Sequence, residues 1–358
     1  MEQQNQRWQV RSFSQLKSWA RSLDPGYFAL VMATGIVSTG LNEHGMPLAA
    51  RALFWLNCLA YAWLLALSVL RLRCYPKEML ADLVRPGRSP AFLTLVASSC
   101  VLAAQCLLVV YCPLAARVMA VWGALCWLGL LYGFFFTVIA RRVKGTFSQT
   151  IHGDWLIVIV ATQSLAVITT LLANDNTPEV RQQWLFVAIC LFLIGCAWYF
   201  VIITLITYRL VLLYLKPVSF TPTYWINMGV LAISTLSGSE IVLNAPPTGP
   251  LHELMPFVRG FTLFYWSMAT WWIPLLGLLA WWRHGWSHVP VAYEVADWNM
   301  VFPLGMYTVG TAALARSTGL HYLNAVDNVM IYVAVLAWIW VAVGLIRRIL
   351  GAKRVDGA

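Results

Sequence analysis

The sequence predicts an all-α integral membrane protein with ten transmembrane helices. Of its 358 residues, 60% are hydrophobic and only 11% are charged, and the mean hydropathy is +0.71. In a soluble domain, about a quarter of the residues are charged. Long apolar stretches recur along the chain with basic residues clustered between them, which is the pattern expected in lipid, where a spanning helix needs roughly 20 mostly apolar residues.

Ten charge-free stretches are long enough to cross a bilayer. They cover residues 25–42, 52–70, 89–116, 118–140, 155–174, 182–208, 217–239, 260–282, 298–315 and 328–346. A helix satisfies every backbone polar group within one segment, as lipid requires. We therefore expect a cytoplasmic amphipathic segment over 1–24, a transmembrane pore domain over 25–346 and a short basic cytoplasmic tail over 347–358.

The loop charges predict the orientation of the chain. With the N-terminus inside, nineteen Lys and Arg lie on its side of the membrane and five on the other. The positive-inside rule then predicts that both termini are cytoplasmic. We expect the protein in the cell inner (plasma) membrane. The basic residues form short runs and no continuous face, which argues against a nucleic-acid partner and leaves membrane lipid as the surrounding.

The odd-numbered spans open alike, which indicates an internal repeat. Their starts at Pro25, Pro90, Gly153, Pro222 and Ala296 are 63 to 74 residues apart. Such a period predicts a repeated supersecondary unit, here a helical hairpin. The odd helices are richer in Gly, Ser, Thr and Pro and the even ones in Leu, Ile, Val and Trp. We therefore expect a ring of five odd helices inside five even ones, with small residues lining a narrow path.

Two motifs carry a resemblance to a known family. The first span, DPGYFALVMATGIVS from Asp24 to Ser38, resembles the first helix of the tellurite-resistance/C4-dicarboxylate transporter family, and WNMVFP from Trp298 to Pro303 resembles its ninth. That family includes malate permeases, sulfite efflux pumps and slow-type anion channels.

The resemblance implies transport of small anions by a homotrimer with one central pore of quasi-fivefold symmetry in each protomer. It also implies that a phenylalanine of the ninth helix occludes the pore, and Phe302 is the match. It does not name the anion, which could be a C4-dicarboxylate such as malate, or chloride, nitrate or sulfite. A proton-coupled dicarboxylate symporter and a sulfite or tellurite-resistance exporter stay open as alternatives.

No Lys or Arg falls inside a predicted span, so an anion path would use hydroxyls, amides at kinks and positive helix ends. The candidate lining residues, at or near matched positions of the repeats, are Thr34, Ser38, Ser99, Thr162 and Thr235, with Pro303 beside the gate. The alternative for each hydroxyl is a hydrogen bond to a carbonyl of its own helix.

The gate hypothesis rests on side-chain size. The repeat alignment makes Phe302 equivalent to four residues without a ring, which are Val31, Val96, Ile159 and Met228. If all five face the axis, Phe302 is the residue able to close it, and Pro303 would bend the helix there. The alternative is that Phe302 packs against a neighbouring helix.

Two acids could couple transport to protons. Asp154 and Asp297 lie at span starts, where an acid is either functional or a helix N-cap. No catalytic, phosphate-binding or metal-binding motif is found. We therefore expect no enzyme activity, no cofactor and no metal, with a membrane-embedded enzyme as the alternative from another class.

Overall fold

The computed structural model describes residues 16–355, with the side chains in that range except those of 148–149 and 352–355. The described residues form helices and no strand. The ten long helices are α1 Phe28–Glu43, α2 Pro47–Cys74, α3 Thr94–Leu108, α4 Pro113–Ala140, α5 Ile157–Ala173, α6 Pro178–Leu212, α7 Ile226–Asn244, α8 Met255–Trp281, α9 Trp298–Thr318 and α10 Asn324–Val355. Of the segment predicted over 1–24, residues 1–15 lie outside this range.

Eight of the helices in the described range are long and apolar enough to cross a membrane. This confirms the predicted class, a helical membrane protein. The two helices outside that set are α1 and α9, which are rich in small and polar residues. They are buried at 13 of 16 and 18 of 21 positions, respectively. Because protein surrounds them, they do not need the apolar surface of a lipid-facing helix.

Several predicted boundaries are wrong because charged residues lie inside helix ends. The third span ends at Leu108, and Pro113 begins α4, so that Arg117 belongs to that helix. Arg316 likewise belongs to α9, which continues to Thr318, and α10 runs through most of the predicted tail. Residues 217–225 form two 3₁₀ turns ahead of α7. Long arginine side chains reach water from a helix end, so a charge does not mark where a helix stops.

The odd-numbered helices form the interior. Each packs against the next odd helix, and α9 packs against α1, so that their contacts close a cycle. Each even helix packs against the odd helix that precedes it. The even helices expose large apolar side chains, such as Leu59 at 70% and Phe136 at 72%. A short 3₁₀ turn opens every odd helix, and the five turns contact one another in the same cyclic order.

Three buried arginines, at the ends of outer helices or in the turn directly after one, bind the chain just before an inner helix. We call these contacts arginine clamps. Each guanidinium donates to a carbonyl about two residues before the 3₁₀ turn of its own hairpin. The pairs are Arg71 with Leu23 O, Arg209 with Ile151 O and Arg283 with Phe220 O. In the fifth hairpin, the Arg348 guanidinium instead lies 5.9 Å from the centre of the Tyr293 ring. Loop charges that predict orientation therefore also hold the hairpins together.

Candidate functional site

Two cavities lie at opposite ends of the inner helices. The N-terminal cavity, of about 160 Å³, is lined by residues of all five opening turns. Each repeat contributes one matched residue, and these are Gly26, Ala91, Asp154, Thr223 and Ala296. Five helix N-termini therefore meet at one cavity, and their unpaired N–H groups contribute partial positive charge there. The charged residues of its wall are Asp24, Arg88 and Asp154.

The C-terminal cavity, of about 320 Å³, also takes one matched residue from every inner helix. These are Ile36, Val101, Ser164, Ile233 and Met306, each ten residues after the member of its repeat in the N-terminal cavity. Most of its wall is apolar. Its charged lining residues are Glu43, Glu240 and Arg316.

Phe302 lies between the two cavities. Side chains three and four residues apart share one face of a helix. Asn299 lines the N-terminal cavity and Met306 the C-terminal one, so Phe302 occupies the same face of α9 between them, with 2% of its surface exposed. Phe302 is six residues after Ala296 of the N-terminal cavity wall. The same count from the matched wall residues of the other repeats gives its equivalents, which are Met32, Ala97, Val160 and Gly229. The predicted set, Val31, Val96, Ile159 and Met228, is therefore wrong by one residue.

Pro303 faces the neighbouring helix α7 and lines neither cavity. A Cβ atom added at Gly229 would lie 2.8 Å from Pro303 Cγ. The missing side chain of Gly229 thus leaves room for the proline ring. α9 continues as a helix through Pro303.

Three of the predicted lining hydroxyls join neighbouring hairpins. Thr34 accepts a hydrogen bond from Trp338 Nε1 at 3.0 Å, and Thr162 accepts one from Trp127 Nε1 at 3.0 Å. Ser99 Oγ lies 2.7 Å from the Tyr61 hydroxyl. In each case the aromatic residue belongs to the outer helix of one hairpin and the hydroxyl to the inner helix of the next. We call these contacts aromatic joints.

The other two hydroxyls donate hydrogen bonds to backbone carbonyls. Ser38 donates to Ala50 O at 2.7 Å, and Thr235 donates to Leu231 O at 2.9 Å. None of the five predicted hydroxyls belongs to the wall of either cavity. The polar residues that do face the cavities include Thr39, Ser164 and Asn299, which sequence reasoning missed. Counting one helical turn back from Phe302 would have found Asn299.

The two predicted acids differ in position. Asp154 lies in the wall of the N-terminal cavity. Asp297 accepts the N–H of Glu294 at 2.8 Å, and the Glu294 side chain accepts in return, which forms a capping box around the 3₁₀ turn Val295–Asp297 ahead of α9. Asp297 thus has a structural contact as the N3 residue of this box, and its side chain makes no N-cap hydrogen bond to α9. Within the described part of the chain, no group of three or more His, Cys, Asp or Glu is placed to hold a metal ion.

Comparison with known proteins decides the family. A family model described as voltage-dependent anion channel matches residues 22–346. The chain belongs to this family. It is 23% identical over 344 residues to an uncharacterized transporter of Methanocaldococcus jannaschii, covering 93% of this chain and 97% of the relative. It is 24% identical over 343 residues to a sulfite efflux pump of Arthroderma otae, covering 88% of each.

A further relative is an uncharacterized membrane protein of Mycobacterium tuberculosis, 36% identical over 137 residues, which is 38% of this chain and 68% of the relative. The resemblance drawn from the first and ninth spans is confirmed. Membership of this family supports anion transport and points to a transporter rather than an enzyme.

Proposed function

We propose that the protein conducts small anions across the membrane along the axis of the five inner helices, and that Phe302 closes this path. In this proposal, five hairpins surround the axis with quasi-fivefold symmetry. The supporting observation is that two cavities, each lined by one matched residue from all five repeats, lie before and after Phe302 along α9. Phe302 is the single aromatic ring among the five equivalent residues there.

The electrostatics suit an anion that passes without tight binding. The N-terminal ends of the inner helices favour negative charge at the N-terminal cavity. The matched residues at and around the gate carry no fixed cation, so an anion would meet only weak polar attraction there. Conduction needs sites weak enough to release the ion, and this arrangement meets that condition.

Inorganic anions are the substrate class we favour, with sulfite, chloride and nitrate as candidates and C4-dicarboxylates such as malate as larger ones. The similarity to a sulfite efflux pump supports sulfite. The test is efflux of each anion from liposomes that contain the parent chain or a variant with a smaller residue at 302. Absence of flux above that of protein-free liposomes for every anion would reject the proposal.

A proton-coupled carrier is the second candidate, because Asp154 lies in the wall of the N-terminal cavity. For a passive path, we expect Asp154→Asn to leave the response to a proton gradient unchanged. Asp297→Asn is the matched control, since Asp297 belongs to the capping box ahead of α9. If Asp154→Asn abolishes gradient-driven uptake and preserves anion exchange, the carrier explains the data and the passive path does not.

Both termini are proposed to be cytoplasmic, because basic residues are concentrated on the side of the N-terminus. We expect a fluorescent protein fused to the C-terminus to fluoresce inside the cell, and a cysteine introduced there to resist impermeant maleimide. Labelling of that cysteine from outside would rule out ten crossings with this orientation.

A homotrimer with one path in each protomer is proposed on the resemblance and on the exposed apolar faces of the outer helices, which include Trp55 at 63% and Trp271 at 56%. Native mass spectrometry from detergent should give three times the mass of the chain. Anion conduction by a monomer would contradict the proposed trimer and would be consistent with a path in each protomer.

A further inference from the structure

Three charged side chains meet at the outer end of the C-terminal cavity. Arg316 Nη2 lies 3.4 Å from Glu43 Oε1 and 3.8 Å from Glu240 Oε1. The three residues come from α9, α1 and α7, and all of them belong to the cavity wall. The Arg316 side chain is 46% exposed, whereas those of Glu43 and Glu240 are 23% and 14% exposed. We call these residues the mouth triad.

The arginine is held loosely. Full hydrogen bonds from a guanidinium to a carboxylate measure about 2.7–2.9 Å, and both distances here are longer. A guanidinium has five N–H donors in a planar fork that fits anions well. Arg316 is the sole Lys or Arg among the described wall residues of this cavity. Its donors are therefore available to an anion that enters from this end.

The charge of the mouth triad opposes such an anion when both carboxyl groups are ionised. One cation and two carboxylates leave a net charge of one negative unit, which becomes zero when one carboxyl binds a proton. The titratable and charged groups on the neighbouring elements are His44, Asp327 and Arg181. His44, beside Glu43, lies 3.5 Å from Asp327 of α10, and Arg181 of α6 donates to the Asn244 carbonyl. Glu240 itself accepts from the neutral Asn244 amide at 3.3 Å.

We propose that Arg316 is the anion-binding residue at this end of the path and that anion entry is linked to protonation of Glu43 or Glu240. An anion takes the place of one carboxylate at the guanidinium, and a proton neutralises the displaced carboxyl. By linkage, each binding event favours the other. This inference rests on the proposed anion path and adds a specific site and a proton dependence to it.

The test measures chloride efflux from liposomes at equal pH on both sides, with Phe302→Ala as the background so that the gate does not limit flux. Chloride stays an anion at every pH used. Charge at a channel mouth changes the local anion concentration on the order of tenfold. We expect a rise of that order as the pH falls from about 7.5 to about 4.5, where carboxyl groups bind protons.

The variants separate the two roles. Glu43→Gln combined with Glu240→Gln should give high flux already at neutral pH and a flat pH profile. Arg316→Gln should give low flux at every pH, and Arg316→Lys should restore part of it. Arg117→Gln is the control, since Arg117 is an exposed cation of α4 paired with Asp175 outside the cavity. It should behave as the background does.

Two outcomes overturn the inference. One is an unchanged pH profile in the double glutamine variant, and the other is background flux in Arg316→Gln. Both leave the anion path itself intact, whereas flux no higher than that of protein-free liposomes, for every anion and in both the parent and Phe302→Ala, rejects the path. Size-exclusion profiles check that each variant folds. If Arg316→Gln does not fold, the glutamine variants decide the question.

Discussion

Replacing Phe302 with alanine is expected to raise anion flux at least about tenfold, which corresponds to a barrier lower by about 1.4 kcal/mol. Phe302 carries the single ring among the five equivalent residues, and two of the others, Gly229 and Ala97, are small. Removal of the ring would join the two cavities. Anion selectivity should change little, because the groups that attract anions lie at the cavity ends. Flux from liposomes and single-channel current both measure this effect.

Phe192 provides the matched control. It is fully buried on the outer helix α6 and lies in neither cavity wall. Truncation of a core phenylalanine to alanine typically costs 3–5 kcal/mol. Phe192→Ala should therefore lower the Tm without raising flux. If Phe302→Ala behaves in this way too, Phe302 is a packing residue and the path closes elsewhere.

Loss of an arginine clamp is expected to destabilise the protein strongly. Arg71 is buried at the end of α2, where it donates to Leu23 O at 3.0 Å and to Asp82 Oδ2 at 2.6 Å. Breaking a buried ion pair by removing one partner costs about 3–5 kcal/mol. Arg71→Ala should lower the Tm in detergent. Arg73→Ala, two residues further on at an exposed position, should change stability by no more than about 0.5 kcal/mol.

The same clamp predicts a pH dependence of stability. Burial by itself raises the pKa of Asp82, but hydrogen bonds and charges from Arg71 and Arg88 outweigh burial and lower the pKa below its usual range. A depressed carboxyl pKa stabilises the folded state above the unfolded pKa, and this contribution is lost as the pH falls through the folded pKa. The parent should lose more stability on acidification than Arg71→Ala. Equal losses in the two proteins would contradict the role of Asp82.

The class of fold and the order of its helices follow from the sequence because apolar length and loop charge act locally. The register of the last repeat does not follow from the sequence in this way. Gly153-Asp154-Trp155 and Ala296-Asp297-Trp298 share a dipeptide, which suggests that their aspartates are equivalent. In the structure, Asp154 takes the position of Ala296 in the cavity wall, and Asp297 belongs to the capping box of the 3₁₀ turn ahead of α9. Identical residues one position apart on a helix point about 100° apart.

The direction of the inner hydroxyls was also beyond the sequence. An inner helix is surrounded by protein on all sides, so polarity does not reveal which face meets the axis. Thr34 and Thr162 point to tryptophans of the preceding hairpin, and those partners are distant in sequence. Arg316 was missed because a charge was assumed to end a span. The Arg316 side chain is 46% exposed, and a charge is tolerated at a helix end where it reaches water.

The aromatic joint between Trp338 and Thr34 links the tenth helix to the first across 304 positions of the chain. The arginine clamp at Arg71, by contrast, links residues only 48 positions apart. During synthesis, the Arg71 contact of the first hairpin can form as soon as its outer helix has been made. The contact between the tenth and first helices can form only after the last helix has been made. A chain that stops before the tenth helix therefore lacks the contact that ties the last hairpin to the first.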